Sequence, residues 1–187
     1  MDIRYGTIKD LAALAAVEER CFPPAEAASA EDLEERLKRY PNHFWLLFDG
    51  DTLVSFVDGM VSDEKVLTDE MFEKAEIHDE NGDWQMIFGV NTLPEYRRRG
   101  CAGTLLRRVI EDAEKQGRKG VILTCKEELM PFYAKFGFRS EGLSASCHGG
   151  AVWYQMILEL PLINGQRKSH TLSLGSSEGR KNSSLSS

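Results

Sequence analysis

Two apolar runs flank an arginine- and glycine-rich stretch, and this arrangement constrains the fold more than any other part of the chain. Trp84 to Val90 reads as one long apolar strand, followed closely by Arg97-Arg98-Arg99-Gly100-Cys101-Ala102-Gly103. Leu105, Leu106, Val109, Ile110 and Ala113 then recur at helical spacing, with charges on the opposite face. Gly117 sits where that helix should end. Val121-Ile122-Leu123 is short and wholly apolar, as expected of an interior parallel strand. The order strand, helix, strand, helix predicts a mixed α/β sheet whose central part is parallel.

The flanking segments fit around that unit. Ile3 and Tyr5 suggest a short first strand, and Asp10 to Phe22 a helix that Pro23-Pro24 must stop, because neither proline can donate a backbone N–H. Ser29-Ala30-Glu31-Asp32 has the form of a capping box opening a second helix. Phe44 to Phe48 and Leu53 to Val61 read as strands joined by the turn Asp49-Gly50-Asp51. Thr68 to Ala75 predicts a short helix, Leu129 to Lys135 another, and Ala151 to Leu160 a last strand.

From about Leu162 the composition changes. Residues 164–187 hold eight serines and almost no large apolar side chains, too little to offset ordering entropy by burial. The expected organisation is therefore one domain over residues 1–161 and a Ser-rich, disordered tail over 162–187. A net charge of -7 disfavours a nucleic-acid partner. No apolar run approaches the ~20 residues that span a bilayer, and Met1-Asp2-Ile3-Arg4 opens no signal peptide. Cys21, Cys101, Cys125 and Cys147 form no C-x-x-C pair, and Cys147-His148 with Cys125 lacks zinc-site spacing. The expectation is a cytoplasmic protein with reduced thiols, no metal, no membrane partner, and a monomeric or homodimeric state.

The stretch from Arg98 to Gly103 carries the chemistry. Small residues at 100, 102 and 103 let a ligand approach the backbone, and the first amides of a helix are unpaired and electropositive. That combination suits a pyrophosphate. A P-loop needs a lysine before Thr104, and a dinucleotide fingerprint needs G-x-G-x-x-G; neither is present. A solvated arginine-rich loop remains the plain alternative.

Arg97-x-x-Gly100-x-Ala102 resembles the Q/R-x-x-G-x-G/A signature of GNAT acetyltransferases. Cys125 to Phe138, which includes Pro131-Phe132-Tyr133, resembles the C-x-x-x-L-x-P-F-Y-x-K-F-G-F segment of the serotonin (arylalkylamine) N-acetyltransferases. Glu18-Glu19-Arg20-Cys21-Phe22 and Asp63-Glu64-Lys65-Val66-Leu67 echo the same branch, so the resemblance spans roughly residues 3–160.

The resemblance implies a single-domain GNAT fold, α/β (α+β), with a splayed central sheet flanked by helices. Acetyl-CoA would lie in the splay as cosubstrate. Phe88, Gly89 and Val90 would bond its pantetheine arm, and Arg98, Arg99, Gly100, Cys101, Ala102 and Gly103 its pyrophosphate. Tyr133 would protonate the departing thiolate, and Phe22 would pack against the acceptor, a small aromatic or apolar primary amine. The branch's H-x-H pair falls on Trp84 and Met86, which cannot accept a proton, leaving Asp83, Glu80, His78 or water as base and His148 within conceivable reach. That departure keeps open a catalytically idle acyl-CoA sensor, and a protein lysine or N-terminal acetyltransferase stands as a further alternative.

Overall fold

The computed structural model describes residues 1–161. The tail expected over 162–187 lies outside the described residues. Nine strands and five α-helices alternate along the described chain: β1 (Asp2–Tyr5), α1 (Leu11–Cys21), α2 (Ala30–Arg39), β2 (Phe44–Asp49), β3 (Thr52–Asp58), β4 (Val61–Ser62), α3 (Asp69–Glu73), β5 (Trp84–Ile87), β6 (Gly89–Thr92), α4 (Cys101–Lys115), β7 (Gly120–Cys125), α5 (Met130–Ala134), β8 (Arg139–Leu143) and β9 (Tyr154–Glu159).

The strands fall into a four-stranded group, β1-β2-β3-β6, and a five-stranded group, β4-β5-β7-β9-β8. Only β5 and β7 pair in parallel; every other pairing is antiparallel. Parallel order is thus confined to the crossover through α4, narrower than the sequence suggests.

Two runs that read as continuous strands are each broken. The run Leu53 to Val61 parts at Gly59-Met60, and Trp84 to Val90 parts at Phe88, so that each half joins a different group. The halves stay stitched together, because Met86 N–H donates to Met60 O and Phe88 N–H to Asp58 O, both at 2.8 Å. Gly59 permits that approach: a Cβ there would lie 1.8 Å from the Met86 carbonyl oxygen. Pairing of β5 with β7 ends at Ile87 and Leu123, whereas β6 pairs with β3 alone. From Phe88 onward the two groups diverge and a V-shaped cleft opens between β6 and the end of β7.

Both sheet faces are covered, which is why the central strands are apolar throughout. On β2, Phe44 and Leu46 pack against Leu14 of α1 and Leu33 and Leu37 of α2. The alternate residues Trp45 and Leu47 pack against Leu105, Leu106 and Val109 of α4. The predicted capping box of α2 and the stop of α4 hold. Ser29 Oγ accepts from Asp32 N–H while Asp32 Oδ2 accepts from Ser29 N–H, each at 3.1 Å. Gly117, with φ of 71°, follows the end of α4. β8 is the strand that the sequence reading omits. It is an exposed edge with a bulge between Ser140 and Gly142 and carries no apolar alternation. The last strand begins only at Tyr154, and the helix expected over Thr68 to Ala75 is a single turn with a 3-10 turn after it.

Asp112, buried on α4, ties three elements together. It accepts from Tyr5 Oη at 2.9 Å, Trp45 Nε1 at 2.8 Å and Arg108 Nε at 2.9 Å. Removing its carboxylate strands a buried indole N–H. Asp112→Ala should therefore cost about 2–3 kcal/mol in urea denaturation, more than a surface substitution does.

Candidate active site

Two cavities occupy the cleft. The outer one, about 500 Å³, is lined by Arg97, Arg98 and Gly100 to Gly103 on one side and by Leu129, Phe132 and Tyr133 on the other. The inner one, about 190 Å³, lies where the strands part, between Ile87 to Val90 and Leu123 to Cys125. Phe22, Val90, Leu129 and Tyr133 line both and form the lip between them.

The outer cavity is built by a sharp turn. Gly100 has φ of 85° and Arg98 φ of 62°, a left-handed pair of positions that ends the loop and starts α4 abruptly. The first intrahelical bond is Thr104 N–H to Gly100 O at 2.9 Å, which leaves the amides of Cys101, Ala102 and Gly103 without intrahelical acceptors at the cavity wall. The Cys101 side chain itself is buried in the core beneath. Arg97 is held by its Nε donating to Thr92 O at 3.2 Å. Arg99 stacks over the Tyr96 ring, 5.1 Å from its centroid, and is not part of the cavity lining.

Strand polarity exposes one further amide, while the nearby Phe88 N–H stays bonded to Asp58 O. Leu93 N–H bonds to Val54 O at 3.0 Å, and alternation along the β3–β6 ladder turns the amide of Val90 to the opposite, unpaired side. Tyr133 lies across from it, 6% exposed, with Phe132 and Phe138 packed edge-on against its ring. Burial, with a smaller contribution from Cys125, raises its phenol above the usual range, so the hydroxyl keeps its proton near neutrality.

The inner cavity has aromatic walls and acidic edges. Phe72 lies 4.8 Å from the rings of both Phe88 and His148, and is stacked on the latter. Trp153 and Phe22 complete the walls. Glu18, Glu26, Asp32, Asp58 and Glu73 also line it, against Arg36 as the one lining arginine. Asp58 is paired with Arg36 at 3.0 Å, and Lys126 with Glu26 at 2.8 Å. Glu18 is 5% exposed and has no cationic partner at bonding distance; burial, and secondarily Asp58, push its carboxyl up to about 7. The sequence reading passed over Glu18, although it stands in the very helix end whose resemblance was noted. Its signal is burial of an acid on the apolar face of α1, which periodicity alone does not distinguish from a solvated charge.

Of the residues considered as bases, Glu80, His78 and Asp83 are far from this chemistry. They precede β5, whereas the cleft opens beyond its other end, and none lines either cavity. Trp84 and Met86 are core residues, 6% and 0% exposed. His148 does line the inner cavity; its Nε2 donates to Glu26 O at 3.0 Å, which leaves Nδ1 as its acceptor nitrogen. Phe22 caps the end of α1 and lines both cavities.

One cluster has the composition of a metal site: ligand atoms of His43, His78 and Glu80 lie within 4.8 Å of one another. Its hydrogen bonds already occupy those atoms. Val61 N–H donates to His78 Nδ1 at 3.1 Å, which leaves the proton on Nε2, facing Glu80. Gln85 directs its Nε2 to Met60 O and Met86 O and so accepts from His43 Nδ1 through Oε1. His43 and Arg118 meet the Glu80 carboxylate at 2.9 and 2.8 Å, making this a structural network that ties β5 to its neighbours.

The family model for the acetyltransferase (GNAT) family matches residues 11–138, which cover both cavities' principal walls. The chain belongs to that family. As a GNAT enzyme it is an acetyl-CoA-dependent acyltransferase. Among curated relatives, the serotonin N-acetyltransferase of Mesocricetus auratus is 26% identical over 163 residues, 76% of this chain and 77% of that one. Among solved structures, the loading GNATL domain of CurA from Lyngbya majuscula superposes with a TM-score of 0.74 at 18% identity, covering 84% of this chain and 96% of that one. The PaiA N-acetyltransferase of Thermoplasma acidophilum, solved in complex with coenzyme A, gives 0.63 at 19% identity, with 85% and 98% covered. Those two likenesses show the fold. No helix among the described residues is long and apolar enough to cross a membrane.

The Glu80 network in this GNAT domain makes a prediction about acid stability. Its carboxyl is held down at about 2 from an ordinary 4.5, chiefly by the His43 hydrogen bond. A depressed carboxylate contributes stability above its ordinary value and loses it as pH falls toward the folded one. Melting temperature should therefore drop between about pH 4.5 and 2, and Glu80→Gln should flatten that part of the profile while lowering the neutral-pH value.

Proposed function

We propose that this chain transfers an acetyl group from acetyl-CoA directly to the primary amine of a small molecule with an aromatic or otherwise apolar body. The observation that carries the reading is the shared lip: a phosphate-suited cavity and an aromatic, acid-edged cavity meet at Phe22, Val90, Leu129 and Tyr133. In this reading the amides of Cys101, Ala102 and Gly103, with Gly100 and Arg98, hold the coenzyme's pyrophosphate. Arg99 contributes only field from its place on Tyr96. The strand edge at Phe88, Gly89 and Val90 receives the pantetheine arm as an added strand would be received, with the Val90 N–H as the free donor, since Phe88 N–H is held by Asp58 O.

That seating brings the thioester to the lip. The Val90 N–H polarises its carbonyl, an oxyanion-type contribution, and the protonated Tyr133 hydroxyl is placed to supply the departing thiolate. The acceptor enters from the inner cavity. Phe22, Phe72, Phe88 and Trp153 suit an apolar ring, and an excess of carboxylates over cations suits an ammonium group. The likeness to a serotonin N-acetyltransferase supports the same choice. A cavity of about 190 Å³ enclosed by side chains favours a small amine over a protein lysine. Cytoplasmic residence and a monomeric or homodimeric state fit this reading.

Thiol release from acetyl-CoA, followed over aromatic, aliphatic and polyamine acceptors, should show turnover concentrated on arylalkylamines; silence on every acceptor would contradict the proposal. Gly100→Glu sets a carboxylate beside the diphosphate position and should weaken coenzyme A binding by about tenfold or more in calorimetry. Unchanged affinity would mean that the coenzyme lies elsewhere.

A further inference from the structure

The sequence leaves the reaction without a proton acceptor, since the positions of the branch's histidine pair are filled by Trp84 and Met86. The structure supplies one on a different element. Glu18 projects from the last turns of α1 into the inner cavity, which also contains the unpaired β6 edge and Tyr133. One of its oxygens, Oε1, accepts from Ala28 N–H at 2.9 Å, which fixes the carboxylate and leaves the other oxygen without a strong partner. Beside it stands Asn91 of β6, 0% exposed, whose side-chain Nδ2 and Oδ1 both lack a partner among the described residues. The Asn91 Nδ2 and Asp58 Oδ1 converge on Gly89, each about 3 Å from where a Cβ on that residue would lie. A buried amide with neither atom satisfied is costly, and here it adjoins a carboxylate in a cavity suited to an ammonium group.

We propose that Glu18 is the general base, taking the proton from the acceptor's ammonium group, with Asn91 as a positioning residue that holds the amine or its relayed proton against it. This rests on the amine-acetylation reading above. Glu18 takes one proton from the ammonium nitrogen; the freed lone pair forms the C–N bond at the thioester carbon. On collapse the C–S bond breaks, the nitrogen gives up a second proton, and the thiolate receives one through Tyr133. The protonated Glu18 then returns its proton to solvent.

The groups facing Glu18 agree with that role. From β3 comes Asp58, already neutralised by Arg36 of α2; from its own helix Cys21, which burial keeps in the thiol form; from β6 the neutral Asn91. Glu26 elsewhere in the cavity is occupied by Lys126. Burial raises both Asp58 and Glu18, but Asp58 is engaged by Arg36; Glu18, raised to about 7 and with no cation bonded to it, is suited to accept from an amine near neutrality and to release afterwards.

The test is the pH dependence of kcat/KM for an arylalkylamine, in the wild-type chain and in Glu18→Gln and Glu18→Asp. Glutamine keeps the acceptor for Ala28 N–H, and calorimetry with coenzyme A reports whether each variant retains its coenzyme site. The wild type should rise with pH through about 7 and then level. Glu18→Gln should bind coenzyme normally, lose about 100-fold in kcat/KM at pH 7, and rise with unit slope toward the amine's own pKa of about 10 with no break at 7. Glu18→Asp should restore part of the rate and the break. A wild-type profile without that break, or a Glu18→Gln variant within about threefold of wild type, overturns the assignment. A wild-type chain that acetylates no amine overturns the functional reading itself, and the assignment with it.

Discussion

The structure turns on one failure of pairing. Through Ile87, β5 holds β7 in parallel register; one residue later the same chain has left that partner and bonds only to β3. Unpaired backbone amides are expensive when buried, so a sheet ordinarily closes such a gap. Here Gly59 lets the neighbouring hairpin kink in step, the stitches at Met60 and Asp58 hold both halves, and cores on both faces keep the two groups from collapsing together. The open edge is thereby paid for by the rest of the fold, and it is the edge that a strand-like ligand arm needs.

Everything chemically distinctive lies where that edge meets other elements. α4 begins beside it with exposed amides, because Gly100 in a left-handed conformation lets the chain turn directly into the helix. α5 brings Tyr133 across from it, and α1 brings Phe22 and Glu18 beneath it. A low-dielectric cavity accentuates each group's character: it keeps the phenol protonated, keeps Cys125 a thiol by pushing it up to about 11, and draws Glu18 toward neutrality.

Much of this was legible in the sequence, and for identifiable reasons. The Ser29 capping box, the Asp49-Gly50-Asp51 turn, the two-sided apolar β7 and the end of α4 at Gly117 are local signals whose physics is complete within a few residues. The family and the helix-start cavity were likewise written in short motifs. The breaks at Gly59-Met60 and Phe88 were not, because hydropathy is continuous through them and only the neighbouring strands decide where pairing stops. β8 was hidden for the opposite reason, being an exposed edge with no apolar face. Glu18 is not legible in the sequence because what makes it unusual is its cavity, assembled from α2, β3 and β6, whereas the acids near β5 sit at the wrong end of that strand.

The central claim is that the unpaired amide of Val90 and those of Cys101 to Gly103 together receive the coenzyme. Amide hydrogen exchange, with and without saturating coenzyme A, addresses those groups themselves. The account predicts slowed exchange at Val90 and across Cys101 to Gly103 together, with β1 and β8 unaffected; coenzyme binding that leaves both unprotected would contradict it.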